Sequence, residues 1–101
     1  MSITVSIHGP IADIILSGEI DYSSQELFHE ASYRAVNAEG VREVQVRFDE
    51  VTFIDSSCIR ALLVLQRQVE ERGLSLVLLN CSSPIRDIFE IGGFDKMFSM
   101  R

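Results

Sequence analysis

The run Asp55-Ser56-Ser57-Cys58 holds the side chains of this 101-residue chain that are best suited to chemistry. A serine hydroxyl can accept a phosphoryl group, which adds about −1.5 to −2 charges at neutral pH. That charge would change any protein surface that had docked against the uncharged hydroxyl. Aspartate and serine are also preferred helix N-caps, because their oxygens bind the free amides of a first helical turn. The run therefore predicts a helix cap, a phosphorylation site, or both.

This run lies where one apolar pattern gives way to another. Before it, Val44, Val46 and Phe48 alternate with polar residues, which is typical of a half-buried strand. After it, the mostly apolar residues 59–65 predict a largely buried helix that begins near Ser57. A strand-to-helix turn of this kind can hold a serine rigidly and expose it to another protein.

One stripe of this predicted helix is charged around a single valine. Its members are Arg60, Val64, Arg67 and Glu71. Val64 is then an exposed apolar contact flanked by arginines, although simple burial of its side chain is an equally good prediction.

The hydrophobic pattern of residues 1–101 predicts one α/β domain in the order β-β-α-β-α-β-α-β. Strands at 3–7 and 12–17 are joined by a short turn, so they must form an antiparallel hairpin. Later strands, at about 43–48, 74–79 and 96–100, follow helices and should run parallel through right-handed crossovers. We therefore expect a mixed sheet packed with three to four α-helices.

Capping residues predict the helix boundaries. Ser23 is a candidate N-cap for the first helix, with Glu26 at capping-box spacing, and Gly40 fits the position just past its end. Ser83 can cap the third helix, where Pro84 suits the first position.

Composition excludes several classes of function. The net charge of −6, from 15 acidic and 9 basic residues, argues against direct binding of nucleic acid. No apolar run approaches the roughly 18 residues of a spanning helix, so we expect no membrane insertion. The first five residues do not resemble a signal peptide, and the two cysteines lack redox or metal spacing. A cytoplasmic protein with reduced thiols is expected.

Intrinsic catalysis is not predicted. The two histidines, His8 and His29, fall in no active-site motif, and Gly92-Gly93 follows a predicted helix, whereas a phosphate-binding loop precedes one. We expect no catalytic residue, no metal site and no cofactor.

Cys58 has two interpretations. Near a helix N-terminus its thiol could have a lowered pKa and act as a redox sensor. A small apolar side chain tucked against the sheet is the favoured alternative, because free cysteines are usually buried.

Three segments in order resemble the STAS family, and within it the bacterial anti-sigma factor antagonists. Residues 16–21, ending in Gly18-Glu19-Ile20-Asp21, resemble L-x-G-E-[LI]-D. Residues 51–57 are similar to the family's phosphorylation loop, a hydrophobic lead-in followed by D-S-[ST]-G. Ser83-Pro84, followed by Ile88-Phe89 and Gly93-Phe94, is similar to the family's S-P helix and the glycine-aromatic turn after it.

The resemblance implies a mechanism. In the family, the unphosphorylated antagonist binds an anti-sigma factor that is also a serine kinase, and this frees a sigma factor for transcription. The kinase uses ATP and magnesium to phosphorylate the first serine after the aspartate, which releases the antagonist. A metal-dependent serine phosphatase resets it. By motif position, the phosphoacceptor in this chain is Ser56.

The partner surface expected from the resemblance and from the helix stripe comprises Asp21, Asp55, Ser56, Ser57, Cys58, Arg60 and Val64. Cys58 stands where the family has glycine, a departure at the edge of the loop. Other STAS domains are accessory subunits of transport complexes, including lipid-transport ATPases. That role, without a phosphoswitch, is the alternative.

Overall fold

The computed structural model describes residues 1–101 as a five-stranded mixed sheet with three α-helices. The elements are β1 (Ser2–His8), β2 (Ile11–Ile20), α1 (Gln25–Asn37), β3 (Glu43–Ile54), α2 (Ser56–Glu71), β4 (Ser75–Leu79), α3 (Ser83–Ile91) and β5 (Ser99–Met100). A 3₁₀ turn, Tyr22–Ser24, precedes α1. β1 runs antiparallel to β2 and every later pair is parallel, which confirms the predicted hairpin and mixed sheet.

The order of strands in the sheet equals their order in the chain, β1-β2-β3-β4-β5. Each parallel crossover therefore advances by one strand in the same direction. Because such crossovers share one strongly preferred hand, their helices lie on the same face of the sheet. The packing agrees: α1 lies over β1 and β2, α2 over β3 and β4, and α3 against β3. One face of the sheet carries the core and the other has no helix.

Strand alternation separates the two faces. On β2, Ala12, Ile14 and Leu16 are fully buried in the hydrophobic core, and their partners on β3 include Val44 and Val46. The intervening residues point away from the helices, because successive side chains of a strand alternate between faces. This alternation explains why the sequence pattern identified these strands.

The face without helices is held by polar contacts. The buried carboxylate of Asp13 accepts a hydrogen bond from Arg47 Nε at 3.0 Å, and its other oxygen lies 2.6 Å from His8 Nε2. Arg47 also donates to Gln45, which in turn donates to Glu43. A buried carboxylate is tolerated when it is paired and hydrogen-bonded. The network therefore joins the end of β1, β2 and β3 on this face.

An aromatic cluster anchors α3 and the short last strand. The ring of Phe89 packs edge-to-face on Phe48, with centroids 6.2 Å apart, and on Phe98 at 5.9 Å. α3 ends at Ile91, and an added Cβ at its C-cap residue, Gly92, would lie 2.6 Å from the ring of Phe94. Glycine at this position thus permits the close approach of Phe94.

Two predicted boundaries around α1 are wrong. Ser23 is not an N-cap: Asp21 caps the 3₁₀ turn, and α1 begins at Gln25 without a side-chain cap. The helix ends at Asn37, so Gly40 lies in the following turn, with φ of 81°.

Two further boundaries are also corrected. β3 continues to Ile54, beyond the predicted end at 48, because irregularities in the β2–β3 register absorb the break in alternation. In α3 the N-cap position is Ser82 and not Ser83, which is the first helical residue, and no side chain caps it.

No helix of the structure combines the length and apolarity needed to cross a membrane.

Replacing Phe89 by alanine should lower the free energy of unfolding by about 3–5 kcal/mol, because it removes a fully buried ring that contacts two others. Urea denaturation followed by circular dichroism measures the change. Ile91→Ala, on the same helix but 87% exposed, is the matched control and should change stability by less than about 0.5 kcal/mol. Equal losses in the two variants would contradict the packing of α3.

Candidate functional site

Asp55 joins the end of β3 to the start of α2 and caps the helix. Its backbone is extended, and its Oδ1 accepts the amide hydrogens of Ser57 at 2.9 Å and Cys58 at 3.3 Å. The hydroxyl of Ser57 donates to the same oxygen. The capping interpretation of the run is therefore confirmed, with Asp55 as the cap.

The donors around Asp55 favour its ionised form. The Ser57 hydroxyl contributes most to lowering the pKa of Asp55, partial burial opposes it, and the backbone amides of Cys58, Ser57 and Tyr22 lower it further. Asp55 is consequently charged at neutral pH. Its charge lies at the N-terminus of α2, where the helix dipole stabilises a negative group.

The two serines after Asp55 differ in their surroundings. Ser57 is only 7% exposed, and its hydroxyl is used in the hydrogen bond to Asp55. Ser56 is exposed as the first residue of α2, and its hydroxyl has no hydrogen-bond partner in the chain. The structure thus distinguishes two hydroxyls that the sequence presents as a pair.

The loop after β2 lies beside this turn. β2 and β3 end in register at Ile20 and Ile54, and the amide of Asp55 donates to the carbonyl of Ile20 at 3.3 Å. Asp21 follows at once, and its carboxylate accepts hydrogen bonds from the amide of Ser23 at 3.0 Å and from its hydroxyl at 2.6 Å. Two capped turns therefore lie side by side at the carboxyl ends of parallel strands.

One further bond links the two turns. The side-chain amide of Gln25, the first residue of α1, donates to the carbonyl of Ser57 at 3.1 Å. The first turns of α1 and α2 are thus tied together, which limits relative movement of the loops that carry Asp21 and Ser56.

Exposed apolar side chains lie near these turns in the sequence. Val64 is 43% exposed on α2, so the sequence-based prediction of its exposure is confirmed over that of its burial. Arg60 is exposed on the same helix. Tyr22, at 77% exposure, and Phe53 are exposed as well, and the sequence interpretation missed both. The available signal for Tyr22 was its place directly after the aspartate of the G-E-I-D segment.

Cys58 lies in the core and not on the surface, which corrects the expectation that it contacts a partner. It is fully buried, and burial, reinforced by the charge of Asp55, raises the pKa of its thiol to about 12. Burial likewise raises the pKa of Cys81 to about 11. Neither thiol forms an appreciable thiolate at neutral pH, so the redox-sensor hypothesis is contradicted.

Cys58, which stands where the family has glycine, does not strain the backbone. Cys58 has no left-handed φ, the conformation that would favour glycine. Its side chain belongs to the hydrophobic core cluster beneath the loop.

Both histidines lie outside the two capped turns. His8 contacts Asp13 on the sheet, and His29 is exposed on α1. Together with Glu30, Tyr33 and Arg34, His29 lines a shallow concavity along α1 that contains no residue of the Asp55 run.

The lowered pKa of Asp55 predicts a pH-dependent contribution to stability. A carboxyl whose pKa falls on folding stabilises the fold at pH values above its unfolded pKa, near 3.8, and loses that contribution as pH drops through the lowered value. Asp55→Asn keeps a capping oxygen without the charge, so it should be less stable than the native chain at pH 6. The difference should vanish at strongly acidic pH.

Urea denaturation across this pH range measures the difference. Asp55→Ala, which also removes the oxygen, should stay about 0.5–2 kcal/mol less stable even in acid. A constant gap between the native chain and Asp55→Asn at every pH would contradict the charged cap.

Comparison with known proteins identifies this architecture. The STAS domain model matches residues 2–101. A STAS-domain containing protein of Pseudomonas aeruginosa is 29% identical over 102 residues, which cover 99% of both chains.

Solved structures share the fold. The anti-sigma factor antagonist SpoIIAA in its unphosphorylated form is 24% identical, with a TM-score of 0.76 over 99% of this chain and 87% of that one. The phosphorylated form of SpoIIAA, described as a Bacillus cell fate determinant, is 23% identical, with a TM-score of 0.75 over 99% of this chain and 91% of that one. A sulfate transporter family protein of Wolinella succinogenes is 19% identical, with a TM-score of 0.79 over 93% of this chain and 75% of that one. With its family model matched over almost every residue, this chain belongs to the STAS domain family.

Proposed function

We propose that this chain is an anti-sigma factor antagonist controlled by phosphorylation of Ser56. In the unphosphorylated state it binds an anti-sigma factor with serine kinase activity in the cytoplasm and frees a sigma factor. Phosphorylation of Ser56 releases it, and a metal-dependent serine phosphatase restores it. The observation that carries the proposal is the exposed, unbonded hydroxyl of Ser56, next to a serine whose hydroxyl is already used.

The chain supplies the nucleophile and the partner supplies the catalyst. The Ser56 oxygen attacks the γ-phosphorus of the kinase-bound ATP. The bond between the γ-phosphorus and the oxygen that bridges it to the β-phosphate breaks, and ADP leaves. The serine proton passes to a base of the kinase. The three hydrogen bonds to Oδ1 of Asp55 make this oxygen a support for the turn.

A phosphoryl group at Ser56 is compatible with the fold. It would lie at the first residue of α2, where the helix dipole favours a negative group by about 0.3–1 kcal/mol. Asp55 opposes it, but the donors that hold Asp55 also neutralise part of that charge. The modification should therefore act on what docks at the site more than on the domain itself.

The surface around Ser56 explains why a phosphoryl group would release a partner. Exposed apolar side chains are present on the elements that meet at this turn: Tyr22 on the 3₁₀ turn, Phe53 near the end of β3 and Val64 on α2. Docking there removes water from the turn, and burying an unpaired charge is strongly unfavourable. Arg60, one turn into α2, adds a charged contact that can orient the partner.

Ser56→Ala should abolish phosphorylation by a cognate serine kinase, because it removes the only unbonded hydroxyl of the run. The reaction is followed with ATP and magnesium by intact mass and peptide mapping. Ser57→Ala is the matched control: it loses a hydrogen bond worth about 1 kcal/mol but should still be modified. Full phosphorylation of Ser56→Ala would overturn the site assignment.

Ser56→Asp should bind the kinase partner about tenfold or more weakly than the unphosphorylated native chain does, because it carries a negative charge at the phosphorylation site. Tenfold is equivalent to about 1.4 kcal/mol. Isothermal titration calorimetry measures the affinity. Ser83→Asp places the same charge at the first residue of α3 and should leave affinity within about twofold, or about 0.4 kcal/mol. Undiminished binding of Ser56→Asp would contradict the switch.

A pull-down with the native chain as bait distinguishes the alternative function. Recovery of a serine kinase supports the proposal. Recovery of a transporter ATPase, unaffected by Ser56→Asp, would favour the role of an accessory subunit.

A further inference from the structure

β1 leaves one long edge of the sheet unpaired. It forms an end of the sheet and is bonded to β2 alone, over seven residues from Ser2 to His8. The opposite end is β5, which has only two residues and is followed by Arg101. An unpaired edge presents a row of backbone N–H and C=O groups to any strand that approaches. The two ends of this sheet thus differ sharply in their capacity for further pairing.

β1 lacks the features by which sheet edges usually avoid pairing. Proteins protect edges with prolines, lysines, inward-pointing charges or bulges. Ser2–His8 contains no proline and no Asp, Glu, Lys or Arg, and its register with β2 is unbroken. The irregularities of this sheet lie between β2 and β3 instead. The edge therefore has no bulge and no acidic or basic side chain other than the imidazole of His8.

The residues of β1 are complementary to themselves in an antiparallel pair. If Val5 of one copy faces Val5 of a second copy, Ile3 faces Ile7 and Thr4 faces Ser6. Isoleucine thus meets isoleucine and hydroxyl meets hydroxyl, the kinds of cross-strand pair that stabilise sheets. A two-fold axis through Val5 is compatible with both the hydrogen-bonded and the non-hydrogen-bonded type of central pair.

The two faces of the sheet are preserved in this pairing. Ile3, Val5 and Ile7 lie on the helix face, opposite the buried residues of β2, and Ile7 is 44% exposed. Pairing would cover Ile7 with Ile3 of the second copy. Thr4 and Ser6 lie on the polar face, so no hydroxyl is forced into an apolar environment.

Charge does not oppose the approach at the edge itself. Each copy has a net charge of −6, but β1 itself carries no carboxylate, and the one carboxylate paired opposite it on β2 is that of Asp13, opposite Ser6. That carboxylate is buried between His8 and Arg47. Repulsion between the copies therefore comes from groups outside the edge strand, and salt screens it.

We propose that two copies of this chain associate through β1, in an antiparallel register centred on Val5, so that their sheets become continuous. About six to eight new backbone hydrogen bonds would form, depending on which pairs exchange both bonds. Because α2 packs over β3 and β4, both Ser56 sites stay outside the interface. The assembly presents two docking sites related by a two-fold axis, and it does not depend on the proposed phosphorylation.

Sedimentation velocity over a concentration series tests the association with the full chain. The native chain should approach twice the monomer mass. Thr4→Lys/Ser6→Lys places lysines directly opposite each other across the pair and should sediment as a monomer. Thr4→Glu/Ser6→Lys, the matched control, places opposite charges there and should restore the dimer. A monomeric native chain, or a dimer that persists with four lysines, would overturn the proposal.

Cysteine cross-linking tests the register. In a Cys81→Ser background, Val5→Cys should form a disulfide between copies, because the paired Cα atoms would be about 4.5–5.5 Å apart. Ile7→Cys, on the more exposed side chain, is the control for random collisions. Its two Cα atoms would be roughly 14 Å apart, so it should not cross-link above background. Equal cross-linking of the two variants would contradict the register.

Discussion

The candidate site depends on one carboxylate oxygen that accepts three donors. Oδ1 of Asp55 receives two amide hydrogens of the first turn of α2 and the hydroxyl of Ser57. Without it, the amide of Ser57 would lose this partner, and the amide of Cys58 would keep only its 3.1 Å bond to the backbone carbonyl of Asp55. The same bonds draw Ser57 inwards and leave Ser56 at the surface. The difference between the two serines therefore follows from capping, and capping is compatible with the proposed phosphorylation of Ser56.

The sequential strand order imposes a second constraint on the whole domain. With every helix on one face, the other face must be satisfied without a second hydrophobic layer. The chain does this with the bonded side chains of Asp13, Arg47 and Gln45. Val77 lies on this face too, and it is the buried hydrophobic residue of β4 that stays outside the core cluster. A sheet with one apolar and one polar face also fixes its register, since a shift by one residue would exchange the two.

Much of the architecture could be predicted because burial here follows simple periodicities. The alternation of Val44, Val46 and Phe48 marks β3, and the apolar run after Ser57 marks α2. The second half of β3 was missed, because its bulges place Val51 and Ile54 inside and Phe53 outside, out of phase with the first half. A bulge depends on the partner strand, so one strand's pattern cannot reveal it.

The position of the Asp55 turn between a strand and a helix was predictable, but its details were not. Motif order located Asp55 and Ser56, whereas the burial of Cys58 depends on how α2 packs against the sheet. The cap of the first turn was misassigned because Asp21, Ser23 and Ser24 are all suitable caps, and only the tertiary position of the loop selects Asp21. Propensity alone does not separate such neighbours.

The distance between the two proposed surfaces bears on how they work together. β1 and β3 are separated by β2, so they lie about two strand spacings, or roughly 10 Å, apart, and Ser56 begins the helix beyond β3. The Debye length at physiological salt is about 8 Å, so a phosphoryl charge at Ser56 would be largely screened at the edge of β1. Phosphorylation would thus govern docking at each site while leaving the pairing of copies intact. A dimer would then keep two switchable sites at a fixed separation, and a partner that is itself dimeric would gain in apparent affinity from engaging both.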